Sequence, residues 1–294
     1  MQNIESLGFV GLGVMGEPMC ANLTTKSGRP VYGFDMRAEP VQRLAEKGLK
    51  ACASIADVAR AADVVFLSLP TGREVEDVCF GNGGLVEAKG RVHTIVDMST
   101  SPAKLTRELA QRLTRHSITL VDAPVARMRQ AARDGTLSIM VGGPRAAFDA
   151  VQPFLACMGT DITHCGDVGA GQVVKALNNM VVFMTVNALA EARAIGRSAG
   201  VDTTLLFETM AKGSADSFAL RTPGLKFLAA DQFPENTFPT DYALKDIRLA
   251  LELAAQGGVA AEAARHTCEL LEATSKAGYG ANYYPVMVKL IEKA

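Results

Sequence analysis

Short apolar runs recur through the first half of the chain, each closed by a glycine or a polar position. They fall at Leu7–Val10, Val31–Phe34, Val64–Leu69, Thr94–Val96, Thr119–Val121 and Ser138–Val141. Runs this short, bounded by turn residues, are what strands covered on both faces look like. Between them, apolar positions return every three or four residues, as in Glu39–Glu46 and Ala103–Arg112. That spacing predicts helices with one covered face. Strands alternating with helices imply a parallel sheet between two helical layers, so the first half predicts a doubly wound α/β domain.

The pattern changes after Gly166–Gly171. A long stretch, Val173–Ala199, is rich in Ala, Leu, Val, Met and Asn and holds no strand bounded by turns. Further helical segments follow at Thr203–Lys212, Ala243–Gln256 and Ala260–Ala277. The second half therefore predicts an all-α C-terminal domain. The boundary is placed near Cys165, giving domains 1–165 and 166–294, with the long helix as the connecting element.

The first strand runs into Gly11-Leu12-Gly13-Val14-Met15-Gly16, a G-x-G-x-x-G segment, and a helical pattern begins near Gly16. In that setting Gly11 permits the tight turn, Gly13 lets backbone approach a pyrophosphate, and Gly16 allows close helix–strand packing. Val14 and Met15 belong to the same cradle, which ends at a helix N-terminus suited to phosphate. An acidic residue is expected about 20 residues on to hold the ribose hydroxyls. Asp35 stands there, and its carboxylate favours NAD over the additional phosphate of NADP. Arg37 keeps NADP open, because a guanidinium two residues on can receive that phosphate.

Composition narrows the partners. The formal net charge is −1, with 48% hydrophobic and 21% charged residues, which suits a compact protein and argues against nonspecific nucleic-acid binding. The six cysteines form no C-x-x-C pair, as expected of reduced thiols in the cytoplasm, and no Cys/His cluster has metal-ligand spacing. No secretory or membrane-spanning segment is expected, the first apolar run being short and broken by glycines.

Hydride transfer needs one group to give or take the alcohol proton. His93, His116, His164 and His266 each lie outside any polar or glycine-rich constellation. Lys175 is the alternative, set in a mostly apolar helical stretch with Asn178 and Asn179 three and four residues later, on nearly the same face. Two readings stand: an acid–base catalyst in a partly dry setting, or a snorkelling lysine beside two structural asparagines.

Several ordered segments carry a resemblance. Gly11–Met19 (GLGVMGEPM), Asp97–Thr100 (DMST), Asp122–Val125 (DAPV), Lys175–Asn179 and Lys245-Asp246 resemble the β-hydroxyacid dehydrogenases in order and spacing, over essentially the whole chain. That family includes 3-hydroxyisobutyrate dehydrogenase and tartronate semialdehyde reductase. The resemblance implies a Rossmann domain, a long linking helix and a helical C-terminal domain, assembled as homodimers or homotetramers. It implies Lys175 as proton donor and acceptor, with Asn179 and Asn178 at the substrate. Thr100 would contact the cofactor near the nicotinamide ribose, Leu69 would line the adenosine side, and Lys245 would reach the cofactor from the second domain. Residue chemistry alone leaves Ser99 and Thr100 readable as a helix cap before Pro102, and Lys245 as a surface lysine.

One segment departs from the pattern. Where most of the family has Ser-Gly-Gly after Pro-Val, this chain reads Ala126-Arg127-Met128-Arg129. It is similar here to the sulfolactaldehyde reductase branch, which has an arginine at the position of Arg127. A guanidinium is a planar fork matched to carboxylate, sulfonate or phosphate, so Arg127 is expected to bind the substrate's anionic end. Arg129 is expected to face solvent. The expected activity is hydride transfer between NAD(H) and a small anionic 3-hydroxy acid. The alternatives are a semialdehyde or sulfolactaldehyde reductase working in the reductive direction, and a non-catalytic cofactor-binding scaffold, which Lys175 with its asparagines disfavours.

Overall fold

In the computed structural model, which describes residues 4–235 and 237–292, the apolar runs become the central strands of one sheet. In chain order these are β1 (Leu7–Val10), β2 (Val31–Phe34), β3 (Lys50–Ala51), β4 (Val64–Leu67), β5 (Thr94–Asp97) and β6 (Thr119–Asp122). Then come β7 (Val125–Ala126), β8 (Leu137–Gly142) and β9 (Gly159–Gly166). Neighbours lie in the order β3-β2-β1-β4-β5-β6-β8-β7, with β9 paired to β8. Pairing is parallel from β3 to β6, β8 runs antiparallel to β6 and β7, and β9 is parallel to β8.

Helices cover both faces: α1 (Gly16–Lys26), α2 (Ala38–Ala45), α3 (Ile55–Ala61), α4 (Gly72–Phe80), α5 (Ala103–Thr114), α6 (Arg129–Asp134) and α7 (Arg145–Leu155). Alternation along each strand feeds two cores. Leu7, Phe9, Val64, Phe66, Val96 and Val121 join one with α1, α2 and α7. Val10, Val65, Leu67, Ile95 and Leu120 join the other with α3, α4 and α5. Phe9 and Phe66 are fully buried and stack at 6.3 Å between centroids. Burying each is worth about 1.5–3 kcal/mol against leaving it in water.

The chain forms two compact units, Met1–Lys175 and Ala176–Ala294, and the division falls inside a helix. That helix, α8 (Ala170–Ser198), spans 29 residues. The second unit continues with α9 (Thr203–Met210), a π-helical segment (Leu220–Leu228), α10 (Thr240–Gln256) and α11 (Glu262–Thr274). The helix expected over 260–277 ends earlier, in a π-turn where Gly278 reaches φ 93°. Its core joins Phe183, Val186 and Leu189 of α8 to Phe207, Ile247, Leu271 and Tyr284.

By length and composition α8 could cross a membrane, with a mean hydropathy of 1.4 over 18 residues. The average hides the phase of the polar residues. Gln172, Lys175, Asn179, Asn187 and Arg193 are all buried, and Arg193 is tied to Leu228 O, Asp231 and Glu292. Polar side chains packed inside a folded core, most of them hydrogen-bonded there, mark a core helix of a globular unit.

Candidate active site

Each glycine of the first loop answers a different demand. At φ 92°, Gly11 turns the chain out of β1, and a Cβ there would stand 2.3 Å from Ser68 O. A Cβ on Gly16 would stand 2.0 Å from Gly11 O, so only glycine lets α1 begin this close to the loop. A Cβ on Gly13 would meet nothing within 4 Å. The fold has no packing reason for glycine at 13, whereas a ligand approaching backbone would. Val14 is exposed and Met15 packs on the core. No side chain caps α1, and its first turn closes on the loop itself, Glu17 N donating to Gly13 O at 2.9 Å and Met19 N to Met15 O at 3.2 Å.

Asp35 follows β2, and its carboxylate crosses to the same loop. One oxygen accepts from Leu12 N at 2.6 Å, the other from Arg37 N at 2.8 Å. The Arg37 guanidinium folds back, with Nε 3.3 Å from Asp35 and an arm donating to Leu12 O at 3.1 Å. Loop, acid and arginine thus form one assembly at the carboxyl end of β1 and β2. It lies beside the point where the strand order reverses, between β1 and β4, the usual place for a ligand on such a sheet. The residues fit a dinucleotide: open space over Gly13 for a pyrophosphate, and a carboxylate level with it for a ribose.

The turns after β4 and β5 are stitched together, Leu69 N donating to Ser99 Oγ at 2.9 Å. Half-buried Thr100 lies between Ser99 and Ser101, and both neighbours are held by Gln172. Its Nε2 donates to Ser99 O at 2.9 Å, and its Oε1 accepts from Ser101 N at 3.0 Å. Asp122, ending β6, accepts from Gly169 N at 2.7 Å and Gln172 N at 2.9 Å, acting as the missing cap of α8. The first turn of α8 is therefore fixed to the two strand-end loops, and Lys175 follows one turn later, 7% exposed.

Asp97 and Asp122 are register partners at the ends of β5 and β6. Burial pushes the Asp97 carboxyl up to about 6, against hydrogen bonds from Ser99 and with Asp122 adding to the rise. Burial raises Asp122 too, against its backbone N–H partners.

In the second unit, buried Asn179 donates to Asp246 Oδ2 at 2.7 Å, and exposed Asn178 donates to Asn179 Oδ1 at 3.1 Å. Lys245 lies 3.2 Å from Asp246 Oδ1 and 4.1 Å from the Tyr242 ring centroid. The Lys245-Asp246 pair thus reaches Asn179 through its aspartate.

The arginine loop departs from expectation. Arg127 sits at φ 84°, a backbone region costly for any residue with a Cβ. Its guanidinium is held by Thr136 O at 2.5 Å, Thr160 Oγ1 at 3.2 Å and Asp161 at 2.6 Å. The Thr160 hydroxyl, and then Arg127, hold the Asp161 carboxyl below its usual range. With two arms so engaged, Arg127 does not present the open fork that an anion-binding role requires. Arg129, expected in solvent, is half-buried with Nε sealed from water.

The sequence reading passed over Gln172, and quoted Asp122 and Asp246 only as members of the segments that carry the resemblance, without a role. Gln172 was visible as a polar residue in an apolar helical run, three positions before Lys175. The partners of all three come from distant strands or helices and leave no local trace.

Comparison with known proteins gives this arrangement a class. Residues 6–166 match the family model for the NAD binding domain of 6-phosphogluconate dehydrogenase. Residues 169–291 match the one for the NAD-binding region of NADP-dependent 3-hydroxyisobutyrate dehydrogenase. The molecule is thus an NAD(P)-dependent oxidoreductase with a Rossmann-type domain followed by a helical one. The chain is 36% identical to 2-(hydroxymethyl)glutarate dehydrogenase of Eubacterium barkeri, over 100% of this chain and 97% of that one. It is 39% identical to 3-hydroxyisobutyrate dehydrogenase of Pseudomonas aeruginosa, over 74% and 72%. The solved 3-hydroxyisobutyrate dehydrogenase of Mycobacterium tuberculosis, with L-serine, superposes at a TM-score of 0.87 with 30% identity, over 98% and 99%. The chain belongs to the β-hydroxyacid dehydrogenase family and acts on the CH–OH group of a hydroxy acid.

Proposed function

We propose that this enzyme interconverts a small 2-substituted 3-hydroxy acid and its semialdehyde, using NAD, with Lys175 as acid–base. The substrate class rests on a shared motif. 3-Hydroxyisobutyrate, 2-(hydroxymethyl)glutarate and L-serine, taken from the names above, all carry a hydroxymethyl group on the carbon bearing the carboxylate. The observation that carries the reading is the anchoring of Lys175, a buried lysine one turn beyond a helix start fixed to the Ser99–Ser101 loop.

Gly11, Gly13, Val14, Met15 and Gly16 would cradle the pyrophosphate, Asp35 the adenosine ribose, Leu69 the adenosine side and Thr100 the nicotinamide ribose. Bound cofactor would take up the hydride from the carbinol carbon. Lys175 as free amine removes the hydroxyl proton while that C–H bond breaks, and as ammonium returns it in the reverse direction. Asn179, its amide tied to Asp246, would bind the substrate. Asp35 supports NAD, since it would repel a 2′-phosphate.

The test is Lys175→Ala, assayed with NAD and 3-hydroxyisobutyrate. Turnover should fall about 10²–10⁴-fold, the usual worth of a positioned acid–base group, while NAD affinity is kept. Near-normal turnover would remove Lys175 from the chemistry.

A further inference from the structure

One carboxylate stands under both turns proposed above to meet the cofactor. Asp97 ends β5, 1% exposed, and its Oδ1 accepts from Ser99 N at 2.9 Å. The Ser99 hydroxyl accepts in turn from Leu69 N at 2.9 Å. Leu69, in the turn after β4, and Thr100, in the turn after β5, are therefore tied to Asp97 through a single serine.

The chain of donors runs one way. A hydroxyl that accepts from Leu69 has its own hydrogen left to give, and both it and the Ser99 N–H favour Asp97 as a carboxylate, with Ser101 adding to the pull. Protonated, Asp97 becomes a donor toward the group that had been donating to it. The Ser99 hydroxyl must then turn, and the hold on Leu69 loosens. The far side of the loop does not share this weakness, because Gln172 grips Ser99 O and Ser101 N with an amide that does not titrate.

The surroundings push the other way. Burial is the main cause that raises Asp97 to about 6, and Asp122 across the β5–β6 pair adds to it. Asp122 spends its two oxygens on Gly169 N and Gln172 N, bonds that favour it ionised, so the proton falls to Asp97. Of the other elements around it, α4 brings Cys79, a thiol that burial keeps protonated, and β4 places Leu67 alongside. A carboxyl held near the edge of ionisation thus sits beneath the two turns.

We propose that Asp97 is a positioning residue for the cofactor: it holds the Leu69 and Ser99–Thr100 turns in their binding arrangement only as a carboxylate, and NAD binding therefore expels its proton to solvent. This rests on the reading of Leu69 and Thr100 as cofactor contacts. Coupling of this kind is reciprocal, so protonation of Asp97 weakens NAD by the factor by which NAD weakens the proton.

The test is isothermal titration of the intact protein with NAD, in pairs of buffers that differ in their heat of ionisation. An about tenfold coupling predicts about half a proton released per NAD at pH 5.5, and a Kd about fivefold larger at pH 5 than at pH 7.5. Asp97→Asn has no proton to lose; it should release none, and its Kd should vary by less than about twofold over the same range. Ser99→Ala breaks the chain in the middle and should lose most of the release, which keeps the test open should Asp97→Asn fail to fold. Wild type that binds NAD without proton release, or either variant with the wild-type release, overturns the assignment. Thr100→Ala binding NAD as tightly as wild type at pH 7.5 instead defeats the reading on which it rests.

Discussion

A single methyl group separates two roles in the glycine loop. At Gly16 it would collide with Gly11 O, backbone that cannot move without disturbing β1 and Asp35. Gly16→Ala should therefore cost more than about 2 kcal/mol of stability, in the upper range for point changes. At Gly13 the same methyl group enters open space. Gly13→Ala should keep wild-type stability, yet lose at least about tenfold in NAD affinity, worth 1.4 kcal/mol. Thermal unfolding with and without NAD reads both. A Gly13→Ala variant stabilised by NAD as strongly as wild type would show that nothing approaches the backbone there. Arg127 shows the opposite case, a side chain at φ 84° whose bonds to Thr136, Thr160 and Asp161 offset the backbone cost.

Among the elements, α8 owes its position to one glutamine and one aspartate. Gln172→Leu would strip partners from buried Ser99 O and Ser101 N while keeping the bulk of the side chain. A loss of about 1–3 kcal/mol is expected, with turnover falling as Lys175 loses its register, and KM for NAD rising through the Thr100 loop. Urea denaturation alongside steady-state kinetics checks this, and unchanged values for both would mean that Asp122 alone sets the helix. How far such elements could be read in advance follows from their surroundings. β1, β2, β4, β5 and β6 are covered on both faces and so appear as apolar runs. β3 is two exposed residues, β7 two half-buried ones, and β9 alternates Thr, Asp and His at the sheet's margin, so none shows a run to read. The cofactor loop was legible because its determinants lie within six residues and one acid. The arginine loop was not, since Arg127 takes a partner 34 residues away.

For the molecule as a whole, the buried Asp97–Asp122 pair ties stability to pH. The folded state raises Asp97 to about 6, so between pH about 4 and 6 the folded chain binds a proton that the unfolded chain has released. By linkage, the contribution of Asp97 falls as pH rises through that window, by about 3 kcal/mol at most, and it opposes the contribution of Glu17, Asp63, Glu74, Asp161 and Glu272, which are held below their usual range. Asp97→Asn, neutral and nearly isosteric, can still accept from Ser99 N. It should remove this contribution and match or exceed wild-type stability at pH 7. Urea midpoints at pH 4.5, 5.5 and 7 decide it, and a variant with the wild-type pH profile would assign the contribution elsewhere. A last consequence lies at Asp35. On its proposed role, an arriving ribose finds the acid already attended by Arg37, through a partly exposed pair of the kind worth under about 1 kcal/mol. Arg37 then serves as a placeholder that gives way on arrival and returns on departure. An enzyme that must exchange its cofactor at every turnover is in this way spared a bare carboxylate at either end of the cycle.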